Sequence, residues 1–60
     1  MFEVVEIEGV EIHYRKSNGW VCWMSDWGRC HDFAQRGLLK RVAANAGEYG
    51  WHSEFYVKEA

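Results

Sequence analysis

One segment that alternates strictly and then runs into a tight-turn signal constrains the fold more than any other feature. In residues 10–15, apolar and polar side chains alternate, which is the pattern of a strand that buries one face. Asn18-Gly19 follows and stands between two apolar runs. This dipeptide favours a hairpin because both of its residues tolerate a positive φ. The chain is therefore expected to double back here and to form an antiparallel sheet.

Other local signals place the remaining elements. A helix is predicted from Asp32, which can form a capping box with Gln35, to a C-cap at Gly47. The predicted strands cover residues 2–8, 10–16, 20–24 and 51–57, and the predicted helix covers residues 32–46. The expected fold class is α+β: one domain over residues 1–60 in the order β-β-β-α-β, with a mainly antiparallel sheet and one helix packed on one face.

The length of 60 residues allows a single domain and makes its stability marginal. Four tryptophans, three tyrosines and three phenylalanines offer a large apolar area for so short a chain, so we expect it to fold without a metal or a disulfide. The sequence shows neither a basic, apolar leader nor the run of about 20 apolar residues that a membrane span needs. A soluble, cytoplasmic protein with reduced Cys22 and Cys30 is therefore expected.

A metal site and a catalytic thiol would both depend on a few side chains. Cys22, Cys30 and three histidines would suffice for zinc, but structural zinc sites use closely spaced pairs such as C-x2-C, and these cysteines are eight residues apart. Cys30 beside His31 near a helix start resembles an activated nucleophile, but so short a chain has little room for a pocket that excludes water. We therefore predict no metal, no cofactor and no catalytic residue, and hence a protein that is not an enzyme.

The charge distribution favours a protein partner. The net charge is −2, which disfavours a general nucleic-acid binder. Four glutamates precede the first basic residue: Glu3, Glu6, Glu8 and Glu11. Side chains on one face of a strand repeat at about 6–7 Å, close to the phosphate spacing of a nucleic-acid strand. We predict that these carboxylates occupy an Arg/Lys-lined groove of a host nucleic-acid-handling protein. The alternative is that they only keep an edge strand soluble.

Surplus tryptophan indicates a second part of the binding surface. Trp20 and Trp23 lie on opposite faces of the predicted third strand, so one helix cannot cover both. Trp23 and Trp27 are the predicted interface anchors, either for another protein or for a second copy in a homodimer. In the alternative, Trp23 covers the open sheet face together with three neighbours: His13, Arg15 and Tyr56.

A basic group supports an alternative function: Arg29, Arg36, Lys40 and Arg41. On the predicted helix these cations would line one edge and contact nucleic acid. Gly19-Trp20-Val21, followed by Ser25-Asp26-Trp27-Gly28-Arg29-Cys30 and a helix, resembles the first part of HicB-type antitoxins over about half of the chain. That resemblance implies an antitoxin-like regulatory domain, although the spacing differs and the toxin-neutralising role is not carried over.

In general character the chain is similar to phage-encoded inhibitors of host machinery, including anti-CRISPR proteins: it is small, acidic, free of proline and rich in aromatic residues. The preferred prediction is therefore a small, non-enzymatic protein-binding or inhibitor module that acts through the acidic hairpin and exposed aromatics. No membrane partner is predicted, and direct nucleic-acid binding is the alternative.

Overall fold

The computed structural model describes residues 1–45 and 50–58, apart from the side chains of Asn45 and Trp51. Its elements, in chain order, are β1 (Phe2–Ile7), β2 (Val10–Arg15), α1 (Trp27–Gln35), β3 (Leu39–Asn45) and β4 (Trp51–Val57). β1 pairs with β2 and β3 pairs with β4, each pair as an antiparallel hairpin. The predicted α+β class, with mainly antiparallel strands and one helix, is confirmed.

The β1–β2 turn lies at Glu8-Gly9, and both residues have a positive φ, 51° and 81°. Two such residues in a two-residue loop suit the right-handed twist of the strands, although the conformation is strained for a glutamate. Arg36 holds the Glu8 carboxylate with two hydrogen bonds of 2.8 and 2.6 Å. The strained turn is thus tied to the end of α1.

The predicted third strand is reduced to a short central segment, residues 19–22. It makes two isolated bridges, Tyr14–Val21 on the β2 side and Trp20–Tyr56 on the β4 side. Backbone hydrogen bonds of 2.7–2.9 Å hold the central segment on both sides. The segment therefore joins the two hairpins in the spatial order β1, β2, central segment, β4, β3. Beyond residue 22 the chain turns away, so the strand is shorter than the predicted 20–24.

The predicted helix bounds of residues 32–46 are wrong, because α1 covers Trp27–Gln35. Its N-cap is Asp26, whose side chain accepts a hydrogen bond of 3.2 Å from the backbone N–H of Arg29. That bond satisfies one of the N–H groups that have no partner within the helix. Asp32, the predicted cap, lies inside the helix.

A glycine two residues beyond Gln35 terminates α1. Gly37 has a φ of 83°. Its N–H donates to the carbonyl of Ala34 at 3.1 Å, and the N–H of Leu38 donates to the carbonyl of Phe33 at 2.8 Å. This pair of bonds is the Schellman motif, which stops a helix and satisfies its last carbonyls. The predicted C-cap, Gly47, lies outside the described residues.

Residues 39–45 form β3 instead of the second half of a helix. The backbone of β3 pairs with β4 along its whole length, from Leu39 opposite Val57 to Asn45 opposite Trp51. Leu39 is buried and the neighbouring Lys40 is exposed, as alternation in a strand requires. Pairing with β4 therefore outweighs the helix propensity of this segment, which is rich in lysine, arginine and alanine.

The helix and one face of the sheet enclose a single core. Its buried side chains come from the helix, three of the strands and the central segment: Ile12, Val21, Cys30, Phe33, Leu39 and Phe55. Side chains alternate between the two faces of a sheet, and α1 packs on one of them. In the part of the chain that the structure describes, no helix covers the opposite face.

Gly37→Ala should destabilise the protein by about 1–2 kcal/mol, because the left-handed conformation disfavours a Cβ. No clash adds to this cost, since the nearest atom to an added Cβ is Nζ of Lys58 at 4.0 Å. The matched control is Gly28→Ala inside α1, where the φ is ordinary and alanine should stabilise the helix by about 0.5–1 kcal/mol. Urea unfolding measures both free energies; equal effects of the two substitutions would contradict the Schellman assignment.

Candidate functional site

The sheet face that points away from α1, called the open face below, carries a continuous line of aromatic and basic side chains. The hairpin registers place Phe2 opposite Arg15 and Lys40 opposite Tyr56. Trp20 is bridged to Tyr56, and its carbonyl accepts the N–H of Arg15 at 2.7 Å. The five side chains therefore form one row across the whole sheet, in the order Phe2, Arg15, Trp20, Tyr56, Lys40. None of the five is buried, and we call this line the aromatic row.

Arg15 holds two rings of the aromatic row together. Its guanidinium carbon lies 5.8 Å from the ring centroid of Phe2 and 5.5 Å from that of Trp20, within range of a cation–π interaction. Among the described residues, no carboxylate forms a salt bridge with Arg15. The aromatic rings of Phe2 and Trp20 therefore position this cation.

A middle row lies next to the aromatic row on the open face. Val4 is opposite His13 in the first hairpin, and Glu54 is opposite Val42 in the second. Val4 is 51% exposed, whereas Glu54 is half-buried and accepts a hydrogen bond of 3.3 Å from the hydroxyl of Tyr56. The middle row therefore has a valine at each end, with His13 and Glu54 on either side of the buried Cys22 at its centre.

A far row follows, in which Glu6 is directly opposite Glu11 and His52 is opposite Ala44. Opposed side chains in such a pair have Cβ atoms about 4.5–5.5 Å apart, where like charges destabilise the sheet. The cation nearest to Glu11 is His13, with Nε2 4.0 Å from Oε1, and it counts as a cation only when protonated. The open face is thus aromatic and basic on one side and acidic on the other.

The four predicted acidic residues do not form one row. Glu6 and Glu11 share the open face, but Glu3 accepts a hydrogen bond from the hydroxyl of Tyr14 at 3.1 Å on the inner face. Glu8 lies in the turn and is bound by Arg36. The hydrogen bond from Arg36 lowers the pKa of Glu8, against a smaller opposing effect of burial. Two of the four carboxylates are therefore engaged within the protein.

The two predicted anchors, Trp23 and Trp27, differ in their exposure to solvent. Trp23 is 79% exposed and lies in the turn after the central segment. Trp27 is half-buried and packs edge-on against Phe55, with ring centroids 5.2 Å apart. Trp20, which is not among the predicted anchors, lies on the open face. His13, Arg15 and Tyr56 do share that face, as the alternative interpretation of the sequence required, but Trp20 and not Trp23 accompanies them.

The predicted basic helix face does not form, because only two of its four cations belong to α1 or its cap. Arg29 is exposed near the helix start, and Arg36 is bound to Glu8. Lys40 and Arg41 lie on β3 and point to opposite faces: Lys40 ends the aromatic row, while Nε of Arg41 donates to Oγ of Ser53 at 2.8 Å. The cause is that residues 39–45 form β3 and not the second half of the predicted helix.

Cys22 and Cys30 are both free and buried. Burial, helped by the carboxylate of Asp26, raises the pKa of Cys30 to about 11, so this thiol is protonated at neutral pH and is a poor nucleophile. Within residues 1–45 and 50–58, no three His, Cys, Asp or Glu side chains are grouped as metal ligands.

The raised pKa of Cys30 predicts a loss of stability in alkali. Between pH 9 and 11 the thiol of the unfolded chain ionises while the buried thiol keeps its proton, so the unfolded state binds fewer protons and the free energy of unfolding falls with rising pH. Cys30→Ala should remove this component. Urea midpoints at pH 8, 9 and 10 measure it; an identical decline in both proteins would show that Cys30 plays no part.

No described helix has the length and apolar character to cross a membrane. Comparison with known proteins gives no match, whether with family models, curated proteins or solved structures. Function must therefore be inferred from the open face itself.

Proposed function

We propose that this protein is a small, non-enzymatic binding module that docks onto another protein through the open face. The aromatic row is the observation that carries the proposal. Trp, Tyr and Arg are the residues in which interface hot spots are enriched, and here Arg15, Trp20 and Tyr56 are neighbours at the centre of an exposed surface. The surrounding apolar exposure, including Phe2 at 54%, favours exclusion of water on docking.

A binding role is supported over the catalytic one by the state of Cys30, the thiol nearest to the helix start. Its burial and raised pKa oppose nucleophilic attack, and catalytic thiols sit in exposed, electropositive surroundings. A cytoplasmic location belongs to the proposal and fits two unpaired thiols, because disulfides form in oxidising compartments.

A narrower candidate is inhibition of a host nucleic-acid-handling protein, in the manner of phage-encoded anti-CRISPR proteins. The like-charge pair Glu6–Glu11 favours it, since a pair that weakens the sheet is suited to a basic groove on a partner. Their separation across two strands is shorter than the spacing proposed along one strand, so the pair would offer one doubly charged contact and no extended phosphate mimic.

Direct nucleic-acid binding is the less favoured alternative. The rings of Trp20 and Tyr56 beside Arg15 and Lys40 suit base stacking and phosphate contact. Three glutamates, Glu6, Glu11 and Glu54, lie on the same face, and the net charge is −2. Both features oppose the approach of a polyanion.

Affinity capture from the native cell with quantitative mass spectrometry tests the proposal. Proteins retained by the wild type should be lost with Trp20→Ala and with Arg15→Ala. Arg29→Ala, an exposed cation remote from the open face, is the matched control and should retain them. If the partner is basic, substitution of both Glu6 and Glu11 by Lys should abolish capture. Capture by the wild type should then also weaken as salt is added.

Three results would count against docking of another protein through the open face. Equal capture by the wild type and both row variants would refute the role of the aromatic row. Loss of capture with Arg29→Ala alone would move the site to the helix. Retention of labelled single-stranded DNA or RNA, dependent on Trp20, would replace the protein partner with nucleic acid.

A further inference from the structure

We infer that the open face docks against the open face of a second copy, with a two-fold axis parallel to the central segment. The inference rests on the proposed function, because it names the partner of the same face. With this axis the two sheets stack face to face, so β1 of one copy lies over β3 of the other and β2 lies over β4. The central segments meet at the axis, as in the aligned packing of two sheets.

The aromatic row is complementary to itself in this arrangement. Reversing the strand order of the row places Phe2 against Lys40 of the second copy and Arg15 against its Tyr56. Both are pairs of a cation with an aromatic ring, and each occurs twice. Trp20 meets Trp20 at the axis, where a ring pair buries the largest side chain of the row.

The other two rows are complementary as well. In the middle row, Val4 meets Val42 at each edge of the interface, and His13 meets Glu54. In the far row, Glu11 meets His52. Within one copy Glu11 already lies 4.0 Å from His13 and Glu54 lies 3.3 Å from His52, so each of these glutamates meets a second histidine in the dimer. No residue of the three rows meets one of the same charge.

The alternative two-fold axis, which runs across the strands, lacks this complementarity. It would set each strand against its own copy and each middle-row residue against itself. Glu54, which is half-buried, would then face a second Glu54, and burial of two like charges is costly. The charge pattern thus selects one of the two face-to-face arrangements.

The open face is large enough for such a dimer. The four strands and the central segment together span about 20 Å at 4.7–4.9 Å per step, and three residues on one face of a strand span a comparable length once the side chains are included. A specific interface needs about 800 Å² from each partner, which is less than a fifth of the accessible surface of 4391 Å².

Sedimentation equilibrium of the wild type and three variants tests the pairing of Val4 with Val42. These valines lie on the two outermost strands, four strand steps or about 19 Å apart, so they cannot pair within one copy. Val4→Lys and Val42→Glu should each weaken dimerisation about tenfold or more, because each places an unpaired charge in the interface. The double variant should return to within about threefold of the wild type, since each Lys then meets a Glu across the interface.

A mixture of the two single variants provides a second measurement and should form a heterodimer in preference to either homodimer. Circular dichroism checks that every variant is folded, and Trp20→Lys, which sets two charges together at the axis, should give monomers. A wild type that stays monomeric at millimolar concentration overturns the inference, and a double variant as weak as the single ones overturns the strand pairing. If the protein is monomeric but capture of another protein still depends on Trp20, the inference fails while the proposed function stands.

Discussion

Phe55→Ala should cost about 3–5 kcal/mol of unfolding free energy, the range for a fully buried phenylalanine. The ring of Phe55 is inaccessible to solvent, and the rings of Trp27 and His31 pack against it edge-on, with centroids 5.2 and 4.9 Å away. A 60-residue domain has only about 3–9 kcal/mol of stability in total. The variant should therefore lose at least about a third of the total unfolding free energy, as circular dichroism with urea would measure.

Two variants control for this result. Phe55→Leu keeps most of the buried volume and should cost about 1–2 kcal/mol. Tyr56→Ala removes the adjacent ring, which points to the open face and is only half-buried, so it should cost less than Phe55→Ala. A loss of under 1 kcal/mol for Phe55→Ala would mean that the core is not assembled around this ring.

Ser25→Ala should cost about 1–3 kcal/mol, because it leaves a partly buried backbone N–H without its partner. The hydroxyl of Ser25 accepts the N–H of His13 at 2.9 Å and donates to the carbonyl of the same residue at 3.2 Å. In the variant, the carbonyl of His13 keeps a second partner, the N–H of Cys22 at 2.8 Å. The N–H of His13 loses its hydrogen bond to Ser25. Thermal unfolding and exchange of the His13 amide measure the two consequences.

Ser17→Ala is the matched control, since Ser17 is exposed in the turn before the central segment and should change stability by no more than about 0.5 kcal/mol. If Ser25→Ala is equally mild, water replaces the hydroxyl and the turn that carries Trp23 does not depend on this pair of hydrogen bonds.

The sequence predicted those parts of the fold that depend on neighbouring residues. Alternation through Ile12 and His13 correctly assigned the faces of β2, and Asn18-Gly19 correctly marked a chain reversal, in which Gly19 has a φ of 82°. The Glu8-Gly9 turn falls where the predicted strands 2–8 and 10–16 meet, and its conformation is likewise set by two adjacent residues.

The helix was misplaced because two signals competed over the same residues. Leu39 and Val42 fit a helical stripe as well as a strand, and the segment between Arg36 and Ala44 is rich in good helix formers. Gly37 was the contrary signal, since glycine is the usual residue at a helix end. Only the distant β4 decides between the two, and a local pattern does not report it.

A related reason explains why the sequence does not predict the aromatic row. Phe2 and Arg15 belong to one hairpin and Tyr56 and Lys40 to the other, so their alignment depends on the central segment. The spacing of Trp20 and Trp23 predicts that they lie on opposite faces of a strand. It does not predict which face of the sheet α1 covers, because that depends on tertiary packing. The candidate site therefore depends on the central segment, which aligns the registers of the two hairpins.

The central segment also sets the order in which the chain assembles. Each hairpin pairs residues that are close in sequence and can form within microseconds, whereas the Trp20–Tyr56 bridge joins residues 36 positions apart and carries the largest loop-closure entropy among the bridges. We expect the folding barrier to lie at this junction. Substitutions at Val21, the buried residue of the central segment, should then slow folding, while those in the β1–β2 turn should mainly speed unfolding.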